Sequence, residues 1–284
     1  MSVRLFDFGR QSLASAINWT SDTIKAAQID MSQSATMCKP ITGATNATPI
    51  VITATSHGYA NGDIVYIRGV GGNLSANGTF QISAVATNTF TITTLKDNLN
   101  TTGSAAYTSG GFAINLGASA TNLGQYTACR NGTDQTLASL TDTNGVLNAA
   151  NPTFTAVSGN VDGLILYKFV TNDAGSTPIV WVDGKMQVVV AKDAAATDTT
   201  LWVEPLAGPV ASGVAFTMSN GVLVTTNASA AQGARSMTIL SCPATLPAGH
   251  TADVPTTGAG LPFTGGGGSY TYQWDSGPNK IIKI

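Results

Sequence analysis

Charge is what this chain has least of. Asp, Glu, Lys and Arg together make up 10% of its 284 residues, against roughly 25% in an ordinary soluble domain. Without clusters of Lys and Arg it cannot neutralise a phosphate backbone, so a nucleic-acid surface is excluded. An uncharged exterior is also a liability for a free monomer, and less of one for a subunit packed against neighbours. Histidine is nearly missing too. With only His57 and His250 present, a Ser-His-Asp triad has almost no raw material. The three cysteines, Cys38, Cys129 and Cys242, lie far apart without a CxxC pair, which excludes a zinc site or a disulfide framework and leaves buried or incidental thiols. No apolar run approaches the ~20 residues of a bilayer span, and Met1–Arg10 lacks the apolar core of a secretory leader.

Small polar residues and 31 glycines fill the space that charge leaves. Disorder would need low hydrophobicity, and 43% of residues are hydrophobic, in steady Val, Ile, Phe and Tyr runs. The expectation is an ordered, mainly β chain large enough for two or three domains.

Asn151–Gly184 is the centre of the pattern. Thr153–Val157, Leu164–Val170 and Ile179–Val182 read as strands separated by Gly, Asn and Asp turns. The continuous apolar run from Leu164 to Tyr167 suits a strand covered on both faces, with Lys168 as its only charge. Towards the N-terminus, Val3–Phe8 reads as a strand and Gln11–Ile17 as two turns of helix. Thr23–Ile29 fits either a helix capped by Ser21-Asp22 or a strand. Residues 113–150 read as loops with a few short strands and a helical turn at Leu137–Leu140.

Residues 39–112 carry strands at short, even spacing: Pro49–Ala54, Asp63–Arg68, Gly78–Val85 and Thr89–Thr94. That is the signature of a small closed barrel or sandwich. His57 lacks a second His or a carboxylate at a useful spacing, so it is expected to cap a turn. The pattern His57-Gly58, Gly62-Asp63, Gly69-Val70-Gly71, Asn77-Gly78 and Thr89-Phe90-Thr91 resembles the small β-barrel repeat known from the first catalytic-cysteine half-domain of ubiquitin-activating enzyme. That module recurs in structural proteins of tailed bacteriophages. The resemblance implies a fold, and no ubiquitin chemistry.

Residues 185–254 repeat themselves at an offset of 36. Val188 falls on Val224, Leu201 on Met237, Val203 on Ile239, Val210 on Leu246 and Gly213 on Gly249. Two copies imply paired β-units packing a shared apolar face and are too few for a solenoid. Trp202 and Trp181 are expected as core or interface anchors. Residues 255–268, with Gly265–Gly268, fit either a mobile connection or a close backbone approach. The end, from Tyr270, Tyr272 and Trp274 to Lys280–Ile284, is rich enough in aromatic and β-branched residues to be tied into a sheet, and Val3–Phe8, Thr23–Ile29 and Lys280–Ile284 are expected to share one with Leu164–Val170.

The two ends and the centre, Phe154–Phe169, together carry a second resemblance. Asn18-Trp19-Thr20-Ser21-Asp22-Thr23-Ile24-Lys25 and Trp274-Asp275-Ser276-Gly277-Pro278-Asn279-Lys280-Ile281 resemble a family of small tailed-phage virion proteins that open and close on such motifs. The resemblance favours a strand at Thr23–Ile29. It also implies a discontinuous core domain, residues 1–38, 113–184 and 269–284, with 39–112 and 185–268 as insertions. The expected fold is therefore mainly β, a discontinuous sandwich or barrel core with two inserted small β-domains and at most one short helix near the N-terminus.

For function, no Gly-x-Ser-x-Gly elbow, HExxH, Walker loop or dinucleotide fingerprint is present. The carboxylates scatter as single turn or cap residues, Asp63, Asp142, Asp173 and Asp183, without a D-x-D-x-D-G calcium loop. No catalytic, cofactor-binding or metal residue is assigned, and no enzyme activity is expected. The resemblance implies a virion protein assembled in the host bacterial cytoplasm. Its partners would be other virion proteins (the major capsid protein, or tail or neck components) and copies of itself, with no nucleic acid and no membrane. Capsid decoration is the first expectation, and a receptor- or glycan-binding tail, collar or fibre module the alternative.

Overall fold

The computed structural model of the chain describes residues 2–6, 16–95, 98–157, 161–183, 185–204, 206, 210, 212–213, 215–218, 222–231, 234–248, 251–255, 268–271 and 282–283. It is mainly β. Strands are numbered β1–β23 in chain order.

The continuous apolar run forms the middle strand of a five-stranded antiparallel sheet. Its order is β1 (Ser2–Leu5), β15 (Thr177–Asp183), β14 (Gly163–Lys168), β2 (Ile24–Ile29) and β10 (Arg130–Thr136). Leu164, Ile165, Leu166 and Tyr167 are all buried, as a strand without alternation requires. Burial of each such side chain contributes about 1.5–3 kcal/mol, so one β14 residue on either face is worth more than any surface ion pair. Gly163 is fixed by contact: a Cβ there would lie 2.5 Å from the Trp181 ring.

The sheet's two faces feed two cores. Ala27, Ile29, Ile165, Tyr167 and Trp181 face one core, and Ile24, Ala26, Leu164, Leu166, Val180 and Val182 the other. The 23–29 stretch is thus a strand, and its burial on both sides explains why periodicity left helix and strand open.

The first core is shared with a seven-stranded sheet in the order β3 (Cys38–Pro40), β9 (Phe112–Asn115), β6 (Ile64–Arg68), β7 (Gly78–Ser83), β8 (Thr89–Thr93), β5 (Val51–Thr53), β4 (Gly43–Ala44). Its two end strands are one stretch of chain. Ile41 N–H still donates to Gly111 on the β9 side, whereas Thr42 N–H donates to Thr53 on the β5 side. The sheet therefore closes on itself as a barrel. The turn glycines Gly58, Gly62, Gly69 and Gly78 all have positive φ, which is why the motif needs glycine there.

A 3-10 helix, Leu123–Cys129, also packs Leu123, Tyr126 and Cys129 into this core. Residues 113–150 were expected to be loops and short strands, and the signal for the helix is the box formed by Asn122 and Gln125. The stretch Leu137–Leu140 is not a helical turn. Ser139 has φ +52° and Leu137 N–H bonds to Ile24 O. The expected N-terminal helix falls largely on residues 11–15, outside the described residues.

β12 (Val146–Asn148) and β13 (Thr153–Val157) cover the second core through Leu147 and Phe154, and the exposed β11 (Thr141–Thr143) pairs with β12. Here the C-terminal expectation needs correcting. β23 (Ile282–Lys283) pairs with β12, and β22 (Gly268–Thr271) with β13. Neither joins the five-stranded sheet, because β1 and β10 already occupy its edges.

The repeat region has a third core. β16 (Lys185–Val189) pairs with β21 (Thr251–Pro255), β17 (Thr200–Trp202) with β20 (Ser236–Thr238), and β18 (Ala215–Thr217) with β19 (Leu223–Thr225). The two copies interlock. Val188 pairs with Ala252 and Phe216 with Val224, which are the same pair related by the 36-residue offset. Bridge Val190–Val203 likewise maps onto Thr226–Ile239, and Ala194–Leu246 onto Val210–Ala230. Leu201 faces its own equivalent, Met237, so a pseudo-twofold axis passes between them. Rather than two β-units side by side, the copies exchange strands to build a single apolar interior.

Candidate interaction surface

The residues that carry the two sequence resemblances are structural devices. Trp19 is buried, and its Nε1–H donates to Asn148 O at 2.9 Å. Asp22 accepts from Asn18 N–H at 2.7 Å and pairs with Lys168 at 2.8 Å. Burial raises the Asp22 pKa, but these partners outweigh it and hold the carboxyl below its usual value. The Asn18–Lys25 motif thus clamps the start of β2 against β14 and β12. Trp274–Ile281 lies outside the described residues.

In the barrel, His57 is buried and its Nδ1 accepts from Tyr59 N–H at 3.0 Å, which is the turn-capping role expected of it. Asp63 accepts from Ala60 N–H, Asn115 Nδ2–H and Ser119 N–H. Asn77 brackets Val70, accepting from its N–H and donating to its C=O, both at 2.9 Å. Asp142 caps its turn through Gly145 N–H. Of the other residues considered, His250 and the Asp183 side chain lie outside what is described.

Two polar constellations join residues far apart in the sequence, Arg68 with Asp162 and the Arg130–Asp134 pair with Tyr167 and Asp173. Arg68, on β6, donates to Asp162 Oδ1 at 2.5 Å, while Asp162 Oδ2 accepts from Met31 N–H at 2.6 Å. Both side chains are almost completely buried, so this pair bolts the barrel to the loop that feeds β14. Arg130 sits between Asp134 and Asp173, and the Tyr167 hydroxyl donates to Asp134. Burial lowers the Arg130 pKa, yet the two carboxylates reverse this and raise it. Burial and the Asp134 carboxylate push the Tyr167 phenol well up.

All three cysteines are buried free thiols. Cys38 is pushed well above its usual value, first by its hydrogen bond with Cys129 and then by burial. A thiol so held is unreactive, since the thiolate is the nucleophile. Among the described residues, no group of three or more His, Cys, Asp and Glu is placed to hold a metal ion. Nor is any helix among them long and apolar enough to cross a membrane.

Six large hydrophobics are exposed among the described residues, Leu95, Leu99, Val170, Trp202, Leu223 and Leu240, and the last three share a β-face on the repeat region. Trp202 is 50% exposed, Leu223 56% and Leu240 59%. The pairings Trp202–Ser236 and Thr200–Thr238 put these four on the side opposite the buried Leu201 and Met237. The bridge Thr226–Ile239 places 223–227 alongside 238–240, so Leu240, Thr225 and Leu223 continue the same outer face. The strip runs from an indole at one end, over hydroxyls, to two leucines at the other. Between those ends it carries no charge. Glu204, also exposed, flanks Trp202 on this face. Trp181, by contrast, is core, against Tyr66 at 6.4 Å.

No family model matches the chain, and no curated protein matches it.

Proposed function

We propose that this chain is a structural component of a tailed-phage virion, and that it decorates or cements the capsid surface through protein–protein contacts. The observation that carries the reading is the Asn18–Lys25 motif. In this chain the residues that carry the resemblance clamp the central sheet, which supports reading the motif as part of the fold. The barrel pattern of residues 57–91 supports the same origin. The 10% charge suits a subunit whose work is contact. On a lattice each copy meets several neighbours, and weak contacts add through effective concentration.

Purified protein mixed with particles lacking it tests this. Co-sedimentation with expanded capsids, and restored resistance of those capsids to heat or chelator, is the expected result. Binding to host cells with no affinity for capsids would overturn it. That second outcome would favour a receptor- or glycan-binding module, for which Trp202 flanked by the hydroxyls of Thr200, Ser236 and Thr238 is the pertinent observation, because sugars stack on exposed indoles.

A further inference from the structure

Cys38 and Cys129 stand about 90 residues apart, on either side of the barrel insertion. The fold brings them to one place. Asp30 N–H donates to Cys129 O at 2.8 Å, and the Cys38 thiol reaches the neighbouring carbonyl, Met31 O, at 3.6 Å. The turn that carries Cys38 is closed by Ala35 N–H donating to Cys38 O at 2.8 Å. Met37 N–H then ties that turn to Gln125 O of the 3-10 helix at 3.2 Å. The helix ends on Cys129, whose thiol donates to Tyr126 O at 3.1 Å. Both side chains are fully buried in the first core, and the two thiols are hydrogen-bond neighbours.

A structural zinc takes four ligands, and among the described residues nothing completes such a set around this pair. As packing, each thiol is only a small apolar group. What two thiols in contact do, and other small side chains do not, is join. Sulfurs so placed need only side-chain rotation and a small approach to reach the ~2 Å of a disulfide. We propose that Cys38 and Cys129 are a redox pair, two thiols under reducing conditions and a disulfide when the chain equilibrates with a disulfide oxidant such as glutathione disulfide. One cysteine thiolate attacks a sulfur of the oxidant and releases one glutathione. The other thiolate attacks the cysteine sulfur of that mixed disulfide and releases the second glutathione. The protein gives up two electrons and two protons, and glutathione disulfide takes them up as two thiols.

Both thiols are shielded in the folded chain, so exchange waits for an opening of the 31–38 turn or takes place as the chain folds. The bond closes a loop of about 90 residues that contains the whole barrel. It ties β3, through which the barrel closes, to the helix that leads into β10 of the central sheet. The constraint falls mainly on the unfolded chain, so the oxidised protein resists unfolding better than the reduced one. Cys242 lies in the third core, with its thiol on Ala244 O at 2.8 Å, and is the internal control. The proposal does not depend on the virion reading.

Thiol counting on the full chain provides the test. The reduced protein is refolded from urea in glutathione disulfide at about pH 8, where thiols begin to ionise and access does not limit exchange. It is then unfolded again and titrated with a thiol-reactive dye. One free thiol is expected in place of three, with a peptide joining Cys38 to Cys129 in the mass spectrum, and excess dithiothreitol should restore all three. The melting temperature of the oxidised form should rise by about 5–10 °C. Cys129→Ala should show neither the linked peptide nor the rise, and the wild-type count decides the matter whether or not that variant folds. Three free thiols after refolding, a stable glutathione adduct in place of the bond, or a bond to Cys242 would overturn the proposal. So would a linked form that melts no higher than the reduced one.

Discussion

Arg68 and Asp162 are 94 residues apart in sequence, yet they form a buried ion pair at 2.5 Å between the barrel and the central sheet. Removing one partner leaves a charge in a low-dielectric seam, which typically costs about 3–5 kcal/mol. Arg68→Met should therefore lower the unfolding free energy measured by urea denaturation by that amount. Adding Asp162→Asn removes the stranded charge while keeping an oxygen for Met31 N–H, so the double variant should regain at least half of the loss. A single variant as stable as wild type would show that the seam is wet.

The Asn18–Lys25 motif is expected to act on stability. Trp19→Phe removes the donor to Asn148 O and strands a carbonyl, at about 1–3 kcal/mol. Chemical denaturation reads this directly, and any binding of the folded protein should be unchanged.

Leu201 and Met237 face each other across the pseudo-twofold axis and are both buried. Leu201→Ala and Met237→Ala should each cost about 2–5 kcal/mol through the cavity left behind. Because the two residues face each other, the double variant should fall short of the sum. Additive losses would argue that the two copies pack as independent units.

Stability should fall on the alkaline side. Burial holds Tyr59 and Tyr126 protonated well above the usual phenol range, and Cys38 is raised by Cys129 and burial. An unfolded chain releases these protons near pH 8.5–10, so between that range and the raised folded values the unfolded state binds fewer protons. By linkage, their contribution is complete below about pH 8.5 and is lost as pH rises. Melting temperatures should drop above about pH 9, and phenolate absorbance should rise in step with unfolding. Full tyrosine titration before any loss of structure would contradict this.

Much of the fold was legible because the physics was local. Glycine and Asn turns placed Ile64–Arg68, Gly78–Ser83 and Thr89–Thr93 within a few residues, and the unbroken Leu164–Tyr167 run announced a strand covered twice. The 36-residue repeat was legible as well, but its strand exchange was not, since an offset does not reveal which copy supplies the pairing partner. Cys38–Pro40 and Phe112–Asn115, the strands that close the barrel, are too short to stand out from loops. The Arg68–Asp162 bolt has no local signal at all, and in the Arg130 cluster only Arg130 and Asp134 are near in sequence, Tyr167 and Asp173 being distant. The outer face was legible only in part: Trp202 stood out as an anchor, but its exposure depends on the register with Ser236.

Copy number in the particle tests the central claim most directly. Quantitative mass spectrometry of purified virions, with cryo-EM of the heads, should find this chain in hundreds of copies and place its β-rich density on the outer shell. A few copies to a few dozen, located on the tail, collar or fibres, or none in the virion, would contradict it.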